Sequence, residues 1–169
     1  MLAESAVQRL MALIQTQPVD TVVFGYQRFV DTPEPTLLLN LSNKAQSGND
    51  FLAAIFSRQR ESYAWSFITK RAIYLDKSVG FPEGRNSEDM ATTYQIAYFS
   101  RTVVLSDQPL YLYRDREGSI SNHVSGQHAN DLFANLADCQ RFFSQHQSAA
   151  YAEHYGDFAA YYALLGYQQ

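Results

Sequence analysis

The stretch Val19-Asp20-Thr21-Val22-Val23-Phe24-Gly25-Tyr26 decides the fold class. Its apolar residues stand on consecutive positions instead of alternating with polar ones, and several are β-branched, so the stretch predicts a strand that needs cover on both faces. Immediately before it, Leu2, Ala6, Leu10 and Leu13, joined by Val7 and Ile14, recur at helical spacing and put an apolar stripe on a helix. Pro18 ends that helix near Gln17. A helix feeding a doubly covered strand is an α/β signature.

Outward from this unit, Thr32-Pro33-Glu34-Pro35 reads as loop, Thr36 to Leu41 as extended, and Ser47-Gly48-Asn49-Asp50 as a turn opening a helix over Phe51 to Arg58. Trp65 to Ile68 reads as a strand, with Thr69 capping a short helix over Lys70 to Leu75, and Gly80-Phe81-Pro82-Glu83-Gly84 reads as loop. Asn86 stands three residues before Asp89, a capping arrangement for a helix to about Ser100 with Met90, Tyr94 and Ala97 on one face. Thr102 to Leu105 and Leu110 to Arg114 read as two strands separated by Ser106-Asp107-Gln108-Pro109, with a polar loop through Asn122. From His128 the period becomes helical: Leu132, Leu136, Cys139 and Phe143 form one stripe, and Tyr151, Tyr155, Phe158, Tyr162 and Leu165 a second. That aromatic stripe is expected to dock on the rest of the chain or on a second copy of it.

The chain has 169 residues, of which 46% are hydrophobic, enough for a sizeable core and too apolar for disorder. Its 13 Lys and Arg against 17 Asp and Glu leave no positive excess to follow a polyphosphate backbone, so nucleic-acid binding is not expected. One cysteine, Cys139, cannot close an internal disulfide, which fits a reducing, cytoplasmic setting. Met1 to Ile14 lacks the basic and apolar regions of a secretory signal, and no apolar run is long enough to span a membrane. The 12 Tyr and 11 Phe serve either as core or as stacking platforms for sugars or bases.

The residues that could carry chemistry are few. His123, His128, His146 and His154 lack metal-site spacing, so no metal ligand is assigned. No glycine-rich phosphate loop is present, and Cys139 lies on an apolar helical stripe. In Phe81-Pro82-Glu83-Gly84-Arg85-Asn86-Ser87-Glu88-Asp89-Met90, by contrast, a loop delivers two adjacent carboxylates to a helix start. Successive helix positions point about 100° apart, so Glu88 and Asp89 cannot both address one atom. The helix dipole favours the ionised carboxylate by about 0.3 to 1 kcal/mol, roughly half a pKa unit, which suits a base. Acidic residues in a first turn are also ordinary complements to that dipole. Lys70-Arg71 and Arg114-Asp115-Arg116 place cations at element ends, where they hold an anion or sit in water.

In order, Ala64-Trp65-Ser66-Phe67-Ile68-Thr69-Lys70-Arg71, Phe81-Pro82-Glu83-Gly84, Glu88-Asp89-Met90-Ala91-Thr92-Thr93-Tyr94, and Pro109-Leu110-Tyr111-Leu112-Tyr113-Arg114-Asp115-Arg116-Glu117-Gly118-Ser119-Ile120-Ser121 resemble the C-terminal half of bacterial family 2 glycosyltransferases. The resemblance runs from Met1 to about Asn122. It implies a partial GT-A-like mixed sheet flanked by helices, residues 1–124 being the acceptor-side half and residues 125–169 a C-terminal helical region with a helical pair. It implies an inverting transfer of sugar from a nucleotide-sugar donor to a hydroxyl acceptor, in cytoplasmic synthesis of a surface polysaccharide or glycolipid, at most peripheral to the inner face of the membrane. Asp89 matches the family's general base, Trp65 and Glu88 line the acceptor side, and Lys70 and Arg114 are candidates for substrate phosphates. The family's Asp-x-Asp motif, which holds the divalent metal (Mg or Mn) and the donor, has no match, so the chain is expected to be a fragment that lacks the nucleotide-binding half and is inactive alone. The competing expectation is a non-catalytic binding or assembly module that keeps the fold, and self-association is a further expectation for the apolar run Val22 to Phe24.

Overall fold

A computed structural model describes residues 1–34, 44–115 and 126–167. Helix α1 (Ala6–Thr16) leads into strand β1 (Thr21–Phe29). A short β2 (Ala45–Gln46) precedes α2 (Gly48–Phe56). A 3-10 turn (Ala64–Ser66) then runs into β3 (Phe67–Thr69) and α3 (Arg71–Asp76). Helix α4 (Glu88–Phe99) and strand β4 (Val103–Arg114) follow, and α5 (Gly126–Gln145) and α6 (Ala149–Tyr167) form the C-terminal helical pair. The extended segment expected at Thr36 to Leu41, the loop expected from Arg116 through Asn122, and His123 lie outside the described residues.

The sheet has the order β2-β4-β1-β3, with β1 and β4 parallel at its centre and the two short strands antiparallel at its edges. Strand β1 is covered on both faces, as its unbroken apolar run requires. Val22 and Phe24 pack with Val104 and Leu110 against Ala6, Leu10 and Leu13 of α1. Val23 and Val103 face the opposite layer, which contains residues of α2, α4, α5 and α6. The fold is therefore an α/β mixed sheet flanked by helices. Val22 to Phe24 are buried within the chain itself, so they call for no second copy to cover them.

Residues 103–114 form one strand, not two, because the sheet absorbs Ser106 to Pro109 as an irregularity. Val23 pairs with Leu105, whereas Gly25 pairs with Pro109 and Tyr26 with Tyr111, so β4 carries extra residues opposite Gly25. A proline tolerates such a site because its missing N–H costs no regular ladder bond there. Gly25 makes the close approach possible: a Cβ at this position would lie 2.6 Å from the Asp107 carbonyl oxygen. Gly25→Ala should therefore destabilise the protein by about 1–3 kcal/mol, the usual range for forcing atoms into a filled site. Urea denaturation checks this, and an unchanged midpoint would show that β4 can shift its bulge at no cost.

Local chemistry moves several helix starts from their expected places. Ser47 and Asp50 form a reciprocal capping box, so α2 begins at Gly48, three residues before the expected Phe51. Thr69 does not cap α3, because its hydroxyl bonds Thr21 and the Asp20 carbonyl across the sheet. Trp65 lies in the 3-10 turn, not in a strand. Asn86 does not cap α4 either: Ser87 holds the cap position, with no side-chain cap, while the Asn86 side chain is bonded to Asp131.

The aromatic stripe on α6 docks on the chain. Phe56 of α2, 1% exposed, makes edge contacts with Phe143, Tyr151, Tyr155 and Phe158. The Tyr155 hydroxyl donates to the Leu136 carbonyl on α5 at 2.7 Å, which gives its polar tip a partner inside the packed layer. Among the described residues, no helix is long and apolar enough to cross a membrane.

Candidate functional site

Asp89 stands in the first turn of α4, half-buried, with the exposed Glu88 beside it. Its Oδ2 accepts the backbone N–H of Ala64 at 3.1 Å. One turn further along the same face, the Thr93 hydroxyl donates to the Ser62 carbonyl at 2.6 Å. These two bonds lace the segment before Trp65 onto α4, so the carboxylate and the indole are held by adjoining residues. Among the described residues no group donates a hydrogen bond to Asp89 Oδ1.

The charge state of Asp89 departs from the sequence expectation. A helix start alone would lower its pKa, but burial raises it, the Ala64 N–H opposes the rise, and the neighbouring Glu88 charge adds to it. The net direction is upward from the ordinary carboxylate value.

Trp65 is the hub of an aromatic cluster. It stacks on Tyr63 (centroids 4.6 Å apart, 17° between planes) and on Tyr111 (4.7 Å, 23°), and meets the edge of Tyr26 at 4.9 Å. Tyr113 tilts against it at 5.2 Å. Its ring is thus occupied by neighbours, and the part of the cluster that faces open space is a cavity of about 110 Å³ lined by Tyr26, Arg28, Tyr63, Trp65 and Tyr113. Burial, with the Glu61 charge next in weight, pushes the Tyr63 hydroxyl up to about 12, so it stays protonated and can donate.

Beside this cavity lies a wider one of about 600 Å³, lined by Phe29, Asp31, Tyr111, Tyr113 and Arg114 among others. Both open at the carboxyl ends of the parallel strands β1 and β4, the usual side for ligands in α/β sheets. Arg114 points its Nε at the Val30 carbonyl, 3.1 Å away, and is exposed at this mouth. Arg28 lies over the Tyr113 ring and pairs with Asp115 at 3.2 Å.

Lys70 is not brought to this mouth. It follows β3 at the amino end of β1 and pairs with Asp20 at 2.7 Å. Burial would raise the Asp20 carboxyl, but the Lys70 bond and the N–H groups of Arg101 and Thr102 outweigh it and hold the pKa below the ordinary value. Trp65 and Arg114 thus line neighbouring cavities that share Tyr113, Asp89 is tied to Trp65 through the adjoining Ala64 amide, Glu88 is exposed, and Lys70 pairs with Asp20 at the other end of β1.

A third cavity, of about 500 Å³, lies between residues 78–82, α4 and α5. Its α4 residues Ala91, Tyr94 and Gln95 point roughly opposite to Asp89 around the helix, and its carboxylate, Asp138, is already bonded to Arg85 and Arg141. It shares no chemistry with the Asp89 site. Among the described residues, no three His, Cys, Asp or Glu side chains come together to hold a metal ion. Cys139 is buried, and burial pushes its thiol far above the ordinary value, so it is inert packing.

The sequence reading found the apolar stripe of α5 but missed its polar residues Asp131, Asn135 and Asp138, which hold the loop before α4. The available signal was three polar residues at positions i, i+4 and i+7 of an otherwise amphipathic helix, which by itself looks like a solvent face.

No family model matches the sequence, and no curated protein matches it closely. Solved structures do. The fold is similar to that of S. aureus TarS 1-349 in complex with UDP-GlcNAc, with a TM-score of 0.62, 14% identity, and 95% of this chain covering 44% of that one. The complex of the same protein with UDP gives a TM-score of 0.59 at 12% identity, with 99% of this chain covering 44%. The chain thus spans less than half the length of the structures it resembles, and the likeness establishes a glycosyltransferase-like, GT-A-like fold.

Proposed function

We propose that the chain is the acceptor-side half of an inverting family 2 glycosyltransferase, acting in the cytoplasm on a hydroxyl acceptor of a polysaccharide or glycolipid. The observation that carries this reading is Asp89: a half-buried carboxylate on a rigid helix start, with one oxygen held by the amide of Ala64, the residue next to the Trp65 aromatic cluster. Rigid placement of this kind is what a general base requires.

In this mechanism Asp89 accepts the proton of the acceptor hydroxyl as its oxygen forms a bond to the anomeric carbon. The bond from that carbon to the nucleoside diphosphate breaks on the opposite side, and its electron pair leaves with the diphosphate. The anomeric configuration inverts. Tyr26, Tyr63 and Tyr113 offer ring faces and hydroxyls to the acceptor, Glu88 flanks it, and Arg114 and Arg28 supply positive charge at the mouth. Lys70, the remaining candidate for a substrate phosphate, would have to leave Asp20 first. The crystal complexes of TarS with UDP-GlcNAc and UDP support a nucleotide-sugar donor. The donor and a divalent ion, Mg or Mn when bound, belong in this proposal to the part of such an enzyme that the chain does not span.

Calorimetry on the 169-residue chain with uridine and guanosine diphosphates, each with and without manganese, tests the division of labour. The expected result is no metal-dependent binding, because the Asp-x-Asp pair that would supply the carboxylate ligands has no match in the sequence. Micromolar binding that disappears on chelation would overturn the acceptor-half reading.

A further inference from the structure

Every residue of the segment 85–87, which delivers the chain into α4, is bonded to α5. Arg85 donates to Asp138 at 2.5 Å and to Asn135 Oδ1 at 3.1 Å. Asn135 Nδ2 donates to the carbonyl oxygens of Asn86 and Ser87, at 3.1 and 2.9 Å. Asp131 accepts both the backbone N–H and the side-chain amide of Asn86, at 2.9 and 2.7 Å, and Gln127 adds a third donor to it. His128 Nε2 lies 3.4 Å from the Ser87 hydroxyl.

Two features set this contact apart from ordinary packing. Asn135 is 0% and Asp131 is 6% exposed, so the clamp is made by buried polar groups, which gain little net stability and become costly if left unpaired. Leu132, Leu136, Cys139 and Phe143 already give α5 an apolar stripe, so holding the helix down does not require these polar groups. Ser87, moreover, has φ 54°, the left-handed region, in which a non-glycine residue costs on the order of 1 kcal/mol and persists only where its surroundings hold it. The strained residue lies two positions before Asp89 and has no side-chain cap of its own.

We infer that Asn135 and Asp131 of α5 are positioning residues for Asp89: by fixing residues 85–87 they set the first turn of α4 so that the carboxylate reaches the Ala64 amide and stays half-buried beside the Trp65 cluster. The catalytic meaning of that position rests on the function proposed above, but the positioning itself does not. The apolar face of α4 fixes the helix against its neighbours, whereas the clamp fixes where the helix starts.

The test is a carbon-detected NMR titration of Asp89 in the 169-residue chain, with hydrogen exchange at Ala64, for Asn135→Ala, Asp131→Ala, Asp131→Asn and, as a control, Phe143→Leu. Asn135→Ala leaves the Asn86 and Ser87 carbonyls without their donor, so the Asp89 midpoint should fall toward the ordinary carboxylate value as its burial is lost. Ala64 amide protection should drop by about tenfold. Asp131→Ala should move both in the same direction, and Asp131→Asn, which keeps an acceptor for Asn86, should restore them. Phe143→Leu, a core change on the same helix, should lower stability and leave the Asp89 titration in place. If Asn135→Ala does not fold, Asp131→Ala decides. An unmoved Asp89 midpoint in the folded variants, or an equal shift in Phe143→Leu, overturns the inference. Neither readout involves a sugar donor, so absence of transfer would count against the proposed function alone.

Discussion

Replacing Asp89 with Asn in a protein that joins this chain to a nucleotide-binding half should lower glycosyl transfer by about 10² to 10⁴, the usual contribution of a general base. The amide keeps an oxygen for the Ala64 N–H, so geometry survives while the basic electron pair is lost. Stability should not fall with it. The folded-state pKa of Asp89 is raised, so the unfolded chain ionises more readily, and stability declines as pH rises from the ordinary value of 3.8 through the folded one. An uncharged amide removes that penalty. The same shift fixes the pH profile: activity of the parent protein should rise along an acid limb whose midpoint lies above 3.8, and the limb should vanish in the variant. A smaller loss is expected for Glu88→Gln, since Glu88 is exposed and points away. Transfer at the parent rate by the Asp89→Asn protein would remove the base from the mechanism and favour the reading of the fold as a non-catalytic binding module.

The largest effect on stability should come from Phe56→Ala. Phe56 is 1% exposed and touches rings on both C-terminal helices, so its removal opens a cavity where α2, α5 and α6 meet. Large aromatic truncations at such sites cost about 3–5 kcal/mol, which the urea midpoint at unchanged slope would report. Leu164→Ala, 64% exposed on α6, should stay within about 0.5 kcal/mol. Equal effects from the two would mean that the helical pair is not held through Phe56.

Several features were fully written in local spacing. The consecutive apolar residues of Val22 to Phe24 required two covered faces, and α1 and the opposite helical layer supply them. The four-three-four step of Tyr151, Tyr155, Phe158 and Tyr162 required a docked helix. Asp89 at a helix start was legible because a loop of Pro82 and Gly84 must end where the apolar period of α4 begins. These are statements about neighbours along the chain, where side-chain direction follows from the rise and twist of a single element.

What the tertiary structure decided depends on residues far apart. Strand β4 stays continuous through Pro109 only because Gly25 of another strand makes room, and no local rule at Ser106 to Pro109 contains that fact. Lys70 looked like a phosphate ligand until Asp20, fifty positions away, claimed it. Asn86 looked like a cap until Asp131, forty-five positions away, took its side chain. The helix start alone predicts an acidified Asp89 carboxyl, yet packing buries it, and desolvation outweighs the hydrogen bond from Ala64 that would lower its pKa. Sequence periodicity determines which face of an element is apolar; which polar group meets which partner is settled only when the faces are brought together, because hydrogen bonds and desolvation act over about 3 Å and have no period along the chain.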